Sequence, residues 1–315
     1  MQEEMPMIQR NDPCWCQSGK KWKKCHWPQE PLSTETLAQK YEKSYGILIK
    51  TEEQIRSIRR ACRVAATILD FLCEMAEAGT TTNALDRYAV LLHQKAHAIA
   101  APLGYGEPPF PKSICTSLNE EICHGIPDDR PLQEGDIVNI DVTSIVDGFY
   151  GDCSRMVTIG KISEEKQKVV DASYECLHRA IEVCRPGAGI AEIGRVIEDY
   201  ASSHACSVVN QFVGHGVGIS FHEPPQIPHH YNRIDIPMVP GMIFTIEPMI
   251  NAGVRDAVID PKNKWTARTK DMKPSAQWEH TILITETGHE VLTADVDENL
   301  FSQDFLSKLA ASKSS

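Results

Sequence analysis

The sequence predicts an α/β (α+β) fold built from two related halves, preceded by a small metal-binding segment. Three observations carry this expectation. A helix, a glycine turn and a second helix occur twice along the chain; alternating apolar runs flank an Asp-Gly pair; and single carboxylates interrupt otherwise apolar runs.

The first helix begins after Thr51, whose hydroxyl is placed to cap it, and Gln54 completes a capping box three residues on. Ile55, Ile58, Cys62, Ala65, Leu69 and Leu72 follow at the three-and-four spacing of one buried face. Gly79 is expected to end this helix, and Thr81 or Thr82 to cap a second one through Leu85, Tyr88 and Leu92. Later, Leu177, Ala180, Ile181 and Cys184 lead to Pro186-Gly187, and a helix through Ile193, Val196 and Ile197 follows. Placing Gly79 over Gly187 superposes Leu69 on Leu177 and Leu85 on Ile193, which reads as an internal duplication. Two unrelated helix pairs are the plainer alternative. A true duplication would bring its halves together about a pseudo-two-fold axis, a natural place for a site.

Residues 138 to 157, VNIDVTSIVDGFYGDCSRMV, carry the strongest local signal for a tight hairpin at Asp147-Gly148. With a two-residue turn, Val146 faces Phe149 and Thr143 faces Asp152. Asp141 then lies on the same face, diagonal to Asp152 and about 7–8 Å away at the backbone. Two carboxylates aimed at one spot repel, and no local Lys or Arg shares the face, because Arg155 has the opposite parity. Two readings stay open for the hairpin alone: a cation site, or a solvated face with two ordinary acids.

The second half repeats the anomaly. Glu247 stands alone in GMIFTIEPMI and Glu279 in AQWEHTILIT, and a lone carboxylate in a buried strand is costly unless paired or metal-bound. NQFVGHGVGISFHEPP adds His215 between two glycines and His222, while His124 lies on the turn EEICHGIP. Other histidines read as structural. His93 and His97 have zincin spacing, but Gln94 replaces the required glutamate, and Gly214-x-Gly216 lacks a full dinucleotide fingerprint. His178, His204, His229, His230 and His289 read as surface or supporting residues, and His280 faces away from Glu279.

The formal net charge of −11 argues against broad nucleic-acid binding, so no specific DNA partner is expected. No apolar run reaches the roughly 20 residues of a membrane span. With no export signal at its start and an odd count of 11 cysteines, the chain reads as cytoplasmic, with free thiols and metal ligands rather than disulfides. The expected organisation is a zinc-binding segment over 1–30, a connector over 31–50, the catalytic region over 51–300 and a polar tail over 301–315.

In the first segment, NDPCWCQSGKKWKKCHW places Cys14, Cys16, Cys25 and His26 as a closed set of three thiolates and one imidazole, suited to structural zinc. A segment this small has no core of its own, so the metal would supply its folding energy. The run resembles the SEC-C motif, with His in place of the more frequent last Cys. Lys20, Lys21, Lys23 and Lys24 alternate with Trp15 and Trp22. Two uses fit this basic, aromatic knob: docking on the ribosome or an acidic protein surface, or a zinc-stabilised solubility cap.

Taken in order, His124, Asp141, Asp152, His215, His222, Glu247 and Glu279, in CHGIP, NIDVT, GDCSR, GHGVG, FHEPP, TIEPM and WEHT, resemble the type I methionine aminopeptidases of the pita-bread fold over about residues 47–296. The resemblance implies a dinuclear site in which Asp141 chelates one metal, His215 with Glu247 the other, and Asp152 and Glu279 bridge both. Such an oxygen-rich set favours Mn, Fe or Co over a thiolate-type Zn site. It further implies Glu247 as general base, His222 on the scissile carbonyl and His124 on the peptide nitrogen or tetrahedral centre. Cys115, Tyr105, Phe110, Phe221 and Trp265 match the methionine pocket, although GEPPFP after Tyr105 is two residues longer than the commoner form and lacks its histidine. The implied substrates are nascent polypeptide N-termini bearing a small second residue, and the implied state is a monomer. Two alternatives carry other functions: an Xaa-Pro peptidase of the same fold, and a non-catalytic pita-bread protein that binds chain ends.

Overall fold

Helix α1 spans Leu37–Tyr45, and α2, Glu52–Met75, begins at the cap that the sequence marks. Thr51 accepts from the Gln54 backbone and Gln54 returns the bond to Thr51, closing the capping box. The computed structural model describes residues 9–14, 18–25, 27 and 36–311. Within it the chain forms two units, Met1–Lys40 and Tyr41–Ser315. The large unit therefore starts earlier than residue 51, taking in buried Ile47 and Lys50.

Helix α2 buries its predicted face, and α3 (Thr82–Lys95) is capped by Thr81, whose hydroxyl accepts from Ala84. α2 ends at Met75, with Ala76 as its cap, so Gly79 belongs to the turn rather than to the helix end. The second half supplies α4 (Glu164–Glu182) and α5 (Ala191–Ser203), whose Leu177 and Ile193 are buried in one core. No disulfide ties these elements together: every cysteine from Cys62 to Cys206 is a free thiol. Among the described residues no helix is long and apolar enough to cross a membrane.

The duplication extends to the backbone hydrogen bonds. In the first half, Gly79 N–H donates to Leu132 and Leu132 N–H to Thr80, both at 2.8 Å. In the second, Gly187 donates to Met238 at 2.9 Å and Met238 to Ala188 at 2.8 Å. Gly79 and Gly187 both have left-handed φ, +92° and +85°. A few residues on, Gly135 and Ile159–Asp136 form a second clamp, repeated by Gly241 and Ile284–Met242. The sequence offset that carries Leu132 onto Met238 and Gly135 onto Gly241 also carries Asp141 onto Glu247. The two strands bearing those carboxylates, Ile137–Val146 and Ile243–Ile246 with the residue after it, are thus pseudo-equivalent.

The first strand pairs antiparallel with Phe149–Thr158 in the predicted register, Val146 opposite Phe149 and Thr143 opposite Asp152. Its turn places Asp147 at φ +49° and Gly148 at +83°, as a type I′ hairpin needs. Gly151 has no room for a side chain, since a Cβ there would meet the Cys62 backbone nitrogen at 2.2 Å. That close approach lets α2 lie directly on the hairpin. The strand carrying Glu279 is bridged to the hairpin at Ser154, where Glu279 N–H donates to Ser154 at 3.1 Å. His280–Ile284 also pairs with Ile243–Ile246, which in turn meets Gly214–Gly216. All five acid- and histidine-bearing segments converge through these pairings.

The region expected to be a polar tail is instead partly folded. Helix α6 (Gln303–Ala311) and Phe301 join the core made by α2, α3 and the hairpin, with Phe301 and Leu309 buried. Its amphipathic face was masked by the charged and small residues between the apolar ones. Phe301→Ala is expected to destabilise the catalytic unit by about 3–5 kcal/mol, read as a lower denaturant midpoint at unchanged slope.

In the amino-terminal unit, a bridge pairs Pro13 with Lys21, and Cys14 N–H donates to the Lys20 carbonyl at 2.8 Å. Trp22 begins a short 3-10 turn, is buried, and meets Trp27 edge-on at 4.8 Å. Cys14 is buried and Cys25 half-buried, with Ser18 Oγ 3.2 Å from the Cys25 sulfur. Cys16 and His26 lie outside the described residues, as does Trp15.

Candidate active site

One cavity of about 290 Å³ is lined by Asp141, Asp152, His215, Glu247 and Glu279, and also by His124 and His222. The two aspartates come from the hairpin, His215 from the Gly214–Gly216 strand, Glu247 from just after Ile243–Ile246 and Glu279 from just before His280–Ile284, while His124 follows the strand Glu121–Cys123 and His222 precedes the strand Glu223–Ile227. Ligand atoms of Asp152, His215 and Glu279 all lie within 4.8 Å of one another. His215 Nε2 is 3.5 Å from Glu247 Oε1 and 3.8 Å from Asp152 Oδ2. Its Nδ1–H is placed to donate to the Gly216 carbonyl at 3.0 Å, which leaves the Nε2 lone pair facing the carboxylates.

The carboxylates carry an electrostatic problem that the protein alone does not solve. Burial, with the Asp152 charge added, holds the Asp141 carboxyl well above its usual range. Burial pushes Asp152 up to about 7, offset in part by the Thr143 hydroxyl, which donates to Oδ1 at 2.7 Å. Glu247 and Glu279 are likewise raised, first by burial and then by the Asp152 charge. No lysine or arginine lines the cavity among the described residues, and Arg155 points away to pair with Asp70 at 2.8 Å. Divalent cations fit this donor set: four oxygen-bearing acids, one imidazole, and charge that nothing else neutralises.

Metal binding must then compete with protons on these acids, whereas the histidine contributes no such competition, since burial and the neighbouring His222 draw His215 down to about 3. The sign follows directly: lowering the pH protonates the ligands and weakens binding. With Asp152 at about 7, its protonation alone is expected to lower Mn(II) affinity by about fivefold between pH 7 and pH 6, and the other raised acids add to that loss, with proton release on binding. Titration calorimetry in buffers of different ionisation enthalpy measures both quantities.

The histidines on the other side of the cavity are neutral at physiological pH. Burial, then the charge of His222, lowers His124 to about 4, and burial lowers His222 to about 4. His222 stacks on Tyr105 at 5.2 Å and tilts against Phe221 at 4.3 Å and His215 at 4.1 Å. His124 has φ +55° and meets Phe212 edge-on at 5.5 Å and Trp265 at 6.0 Å. Tyr105, Phe110, Cys115, Phe221 and Trp265 line the same cavity. The GEPPFP loop is anchored there by Trp265, whose indole N–H donates to the Pro108 carbonyl at 2.9 Å.

Several supporting residues were not legible in the sequence. Thr245 Oγ1 donates to Glu247 Oε1 at 2.8 Å and Gln277 Nε2 to Oε2 at 3.1 Å. Of the two roles the sequence allowed His229, surface or supporting, it has the second: it is buried, and its Nε2 accepts from the Glu247 backbone N–H at 3.2 Å. Thr245 and Gln277 stand two residues before the acids, so strand parity was their only signal; for His229 nothing local separated the supporting role from a surface one. Cys123, Phe212 and Met249 complete the wall. His93 is structural, bonded to the Ala89 carbonyl and Ser144, and His280 turns away to Thr293.

The description "Metallopeptidase family M24" matches residues 56–286, and the SEC-C motif matches residues 10–28. A methionine aminopeptidase from Chlamydia pneumoniae is 61% identical over 287 residues, 91% of this chain and 99% of the relative. The crystal structure of a methionine aminopeptidase from Rickettsia prowazekii superposes with a TM-score of 0.76 at 44% identity, covering 78% of this chain and 99% of that one. A prolidase from Pyrococcus horikoshii shares the fold alone, with a TM-score of 0.61 at 21% identity over 80% of this chain and 65% of its own. The chain belongs to metallopeptidase family M24 and, within it, to the type I methionine aminopeptidases.

Proposed function

We propose that this methionine aminopeptidase holds two divalent cations on Asp141, Asp152, His215, Glu247 and Glu279 and uses them to release methionine from the N-termini of nascent polypeptides. The observation that supports the reading most is four carboxylates sharing one cavity with a half-buried imidazole, with no cationic side chain in the lining among the described residues. Divalent cations bound there would acidify a water and polarise the scissile carbonyl.

The chain's own residues then have separable tasks. Glu247 is oriented by Thr245, Gln277 and His229, which suits it to accept a proton from the attacking water. Neutral His222 offers an N–H to the scissile carbonyl, and His124 one to the peptide nitrogen or the tetrahedral centre. Phe110, Cys115, Trp265, Phe221 and Tyr105 give the soft, aromatic wall that a thioether favours. The preference for a small second residue is assigned to the rim where His222 stacks on Tyr105. The oxygen-rich ligands favour Mn(II), Fe(II) or Co(II) over zinc.

All of these groups come from one chain, so a monomer has a complete site. The Xaa-Pro reading is supported by fold likeness alone. Metal stoichiometry tests the assignment: about two Mn(II) per chain, with release of methionine lost on chelation and regained on metal addition, is expected. Activity retained after exhaustive chelation would overturn it.

For the amino-terminal unit we propose structural zinc on Cys14, Cys16, Cys25 and His26. Exposed Lys20, Lys21, Lys23 and Lys24 give it a basic surface suited to ribosomal RNA. Zinc content lost on Cys14→Ser, and ribosome co-sedimentation lost when the four lysines become glutamate, are the expected results.

A further inference from the structure

A second cavity, about 600 Å³, opens beside the catalytic one and shares Val213, His215 and His222 with it. Its other apolar lining comes from three separate stretches. Tyr45 and Ile47 precede α2, Pro224 and Pro225 follow His222 by two residues, and Ile234 and Ile236 lie in the segment leading to Met238. The family match begins at residue 56, so Tyr45 and Ile47 are contributed by chain ahead of it.

These walls are held firmly. The Tyr41 hydroxyl donates to the Pro237 carbonyl at 2.9 Å, and the Tyr41 ring meets Tyr45 edge-on at 5.4 Å. Lys50 and Glu223 form a buried ion pair, and Glu223 also accepts from the Ser220 N–H at 3.1 Å. Lys50 N–H donates to the Gly241 carbonyl at 2.9 Å. The segment before α2 is therefore tied to the residue that follows His222.

We propose that this groove binds the part of the substrate beyond the scissile bond, the third to fifth residues, and prefers apolar side chains there. The inference rests on the aminopeptidase reading of the neighbouring cavity. With methionine in the inner pocket, the scissile bond lies near His215 and His222, and His222, which lines both cavities, stands where they join. An extended chain advances about 3.3 Å per residue, so three residues span about 10 Å and suit a groove of this kind. Its one acid, Glu223, is already paired with Lys50, so the groove offers a charged substrate side chain no free opposite charge.

The test compares kcat and KM for Met-Ala-Ile-Phe-Gly, Met-Ala-Gly-Gly-Gly and Met-Ala-Asp-Asp-Gly, using Mn(II)-loaded full chain as wild type, Tyr45→Ala and Ile234→Ala. Melting curves confirm that each variant is folded. Wild type is expected to favour the Ile-Phe peptide over the Gly-Gly one by about tenfold, mostly through KM, and to disfavour Asp-Asp. Either folded variant should shrink that preference several-fold. Equal rates on all three peptides, or an unchanged preference in both variants, would overturn the groove while leaving the aminopeptidase reading intact. No methionine released from any peptide would overturn both.

Discussion

Asp152→Asn is expected to lower kcat/KM for methionine release by about 10³-fold. Metal Lewis acidity supplies several kcal/mol of transition-state stabilisation, and 1.36 kcal/mol corresponds to a factor of ten. Asparagine keeps the shape and can still accept the Thr143 hydrogen bond, but it removes the charge at the centre of the cluster, the one that adds to burial in raising Asp141, Glu247 and Glu279. The same change lowers repulsion among the remaining acids, so the folded protein should not lose stability in proportion to its activity. Retention of activity to within about tenfold, at saturating Mn(II), would sink the assignment of Asp152 as a shared ligand.

The second large effect is at His124. Asparagine is the replacement of choice because the backbone there has φ +55°, a region that asparagine tolerates better than most residues. Loss of the imidazole N–H is expected to reduce kcat by about 10²–10³-fold with a small change in KM, as for donors that act mainly in the transition state. A change confined to KM would instead make His124 a substrate-binding residue. Because the histidine is already neutral down to about pH 4, its own ionisation should leave no inflection in the pH–rate profile near neutrality.

Much of this site could be read from the chain because its parts obey local rules. Asp-Gly set the hairpin turn, the turn set the register, and the register put Asp141 and Asp152 on one face. Thr51 and Gln54 marked the start of α2 through bonds that need only four residues. The internal repeat was visible as matching helix faces. Its decisive form, the paired clamps that make Asp141 and Glu247 equivalent, resides in backbone bonds between residues far apart in sequence.

What stayed hidden depends on tertiary contacts of that kind. His229 resembles any surface histidine until the Glu247 strand is laid over it. Tyr45 and Ile47 belong to a stretch that reads as a connector, and only their packing beside Pro224 and Pro225 gives them a wall to form. α6 is short enough for its apolar residues to be mistaken for scatter in a polar tail. In each case the residue type was compatible with several environments, and the fold selected one.

The measurement that tests the account most directly is free methionine released from Met-Ala-Ser, beside Leu-Ala-Ser, by the Mn(II)-loaded full chain. Release from the methionine peptide alone, abolished in Asp141→Ala, is the expected result. Equal release of leucine and methionine would contradict the pocket assignment, and methionine release undiminished in Asp141→Ala would contradict the carboxylate cluster as the seat of the reaction.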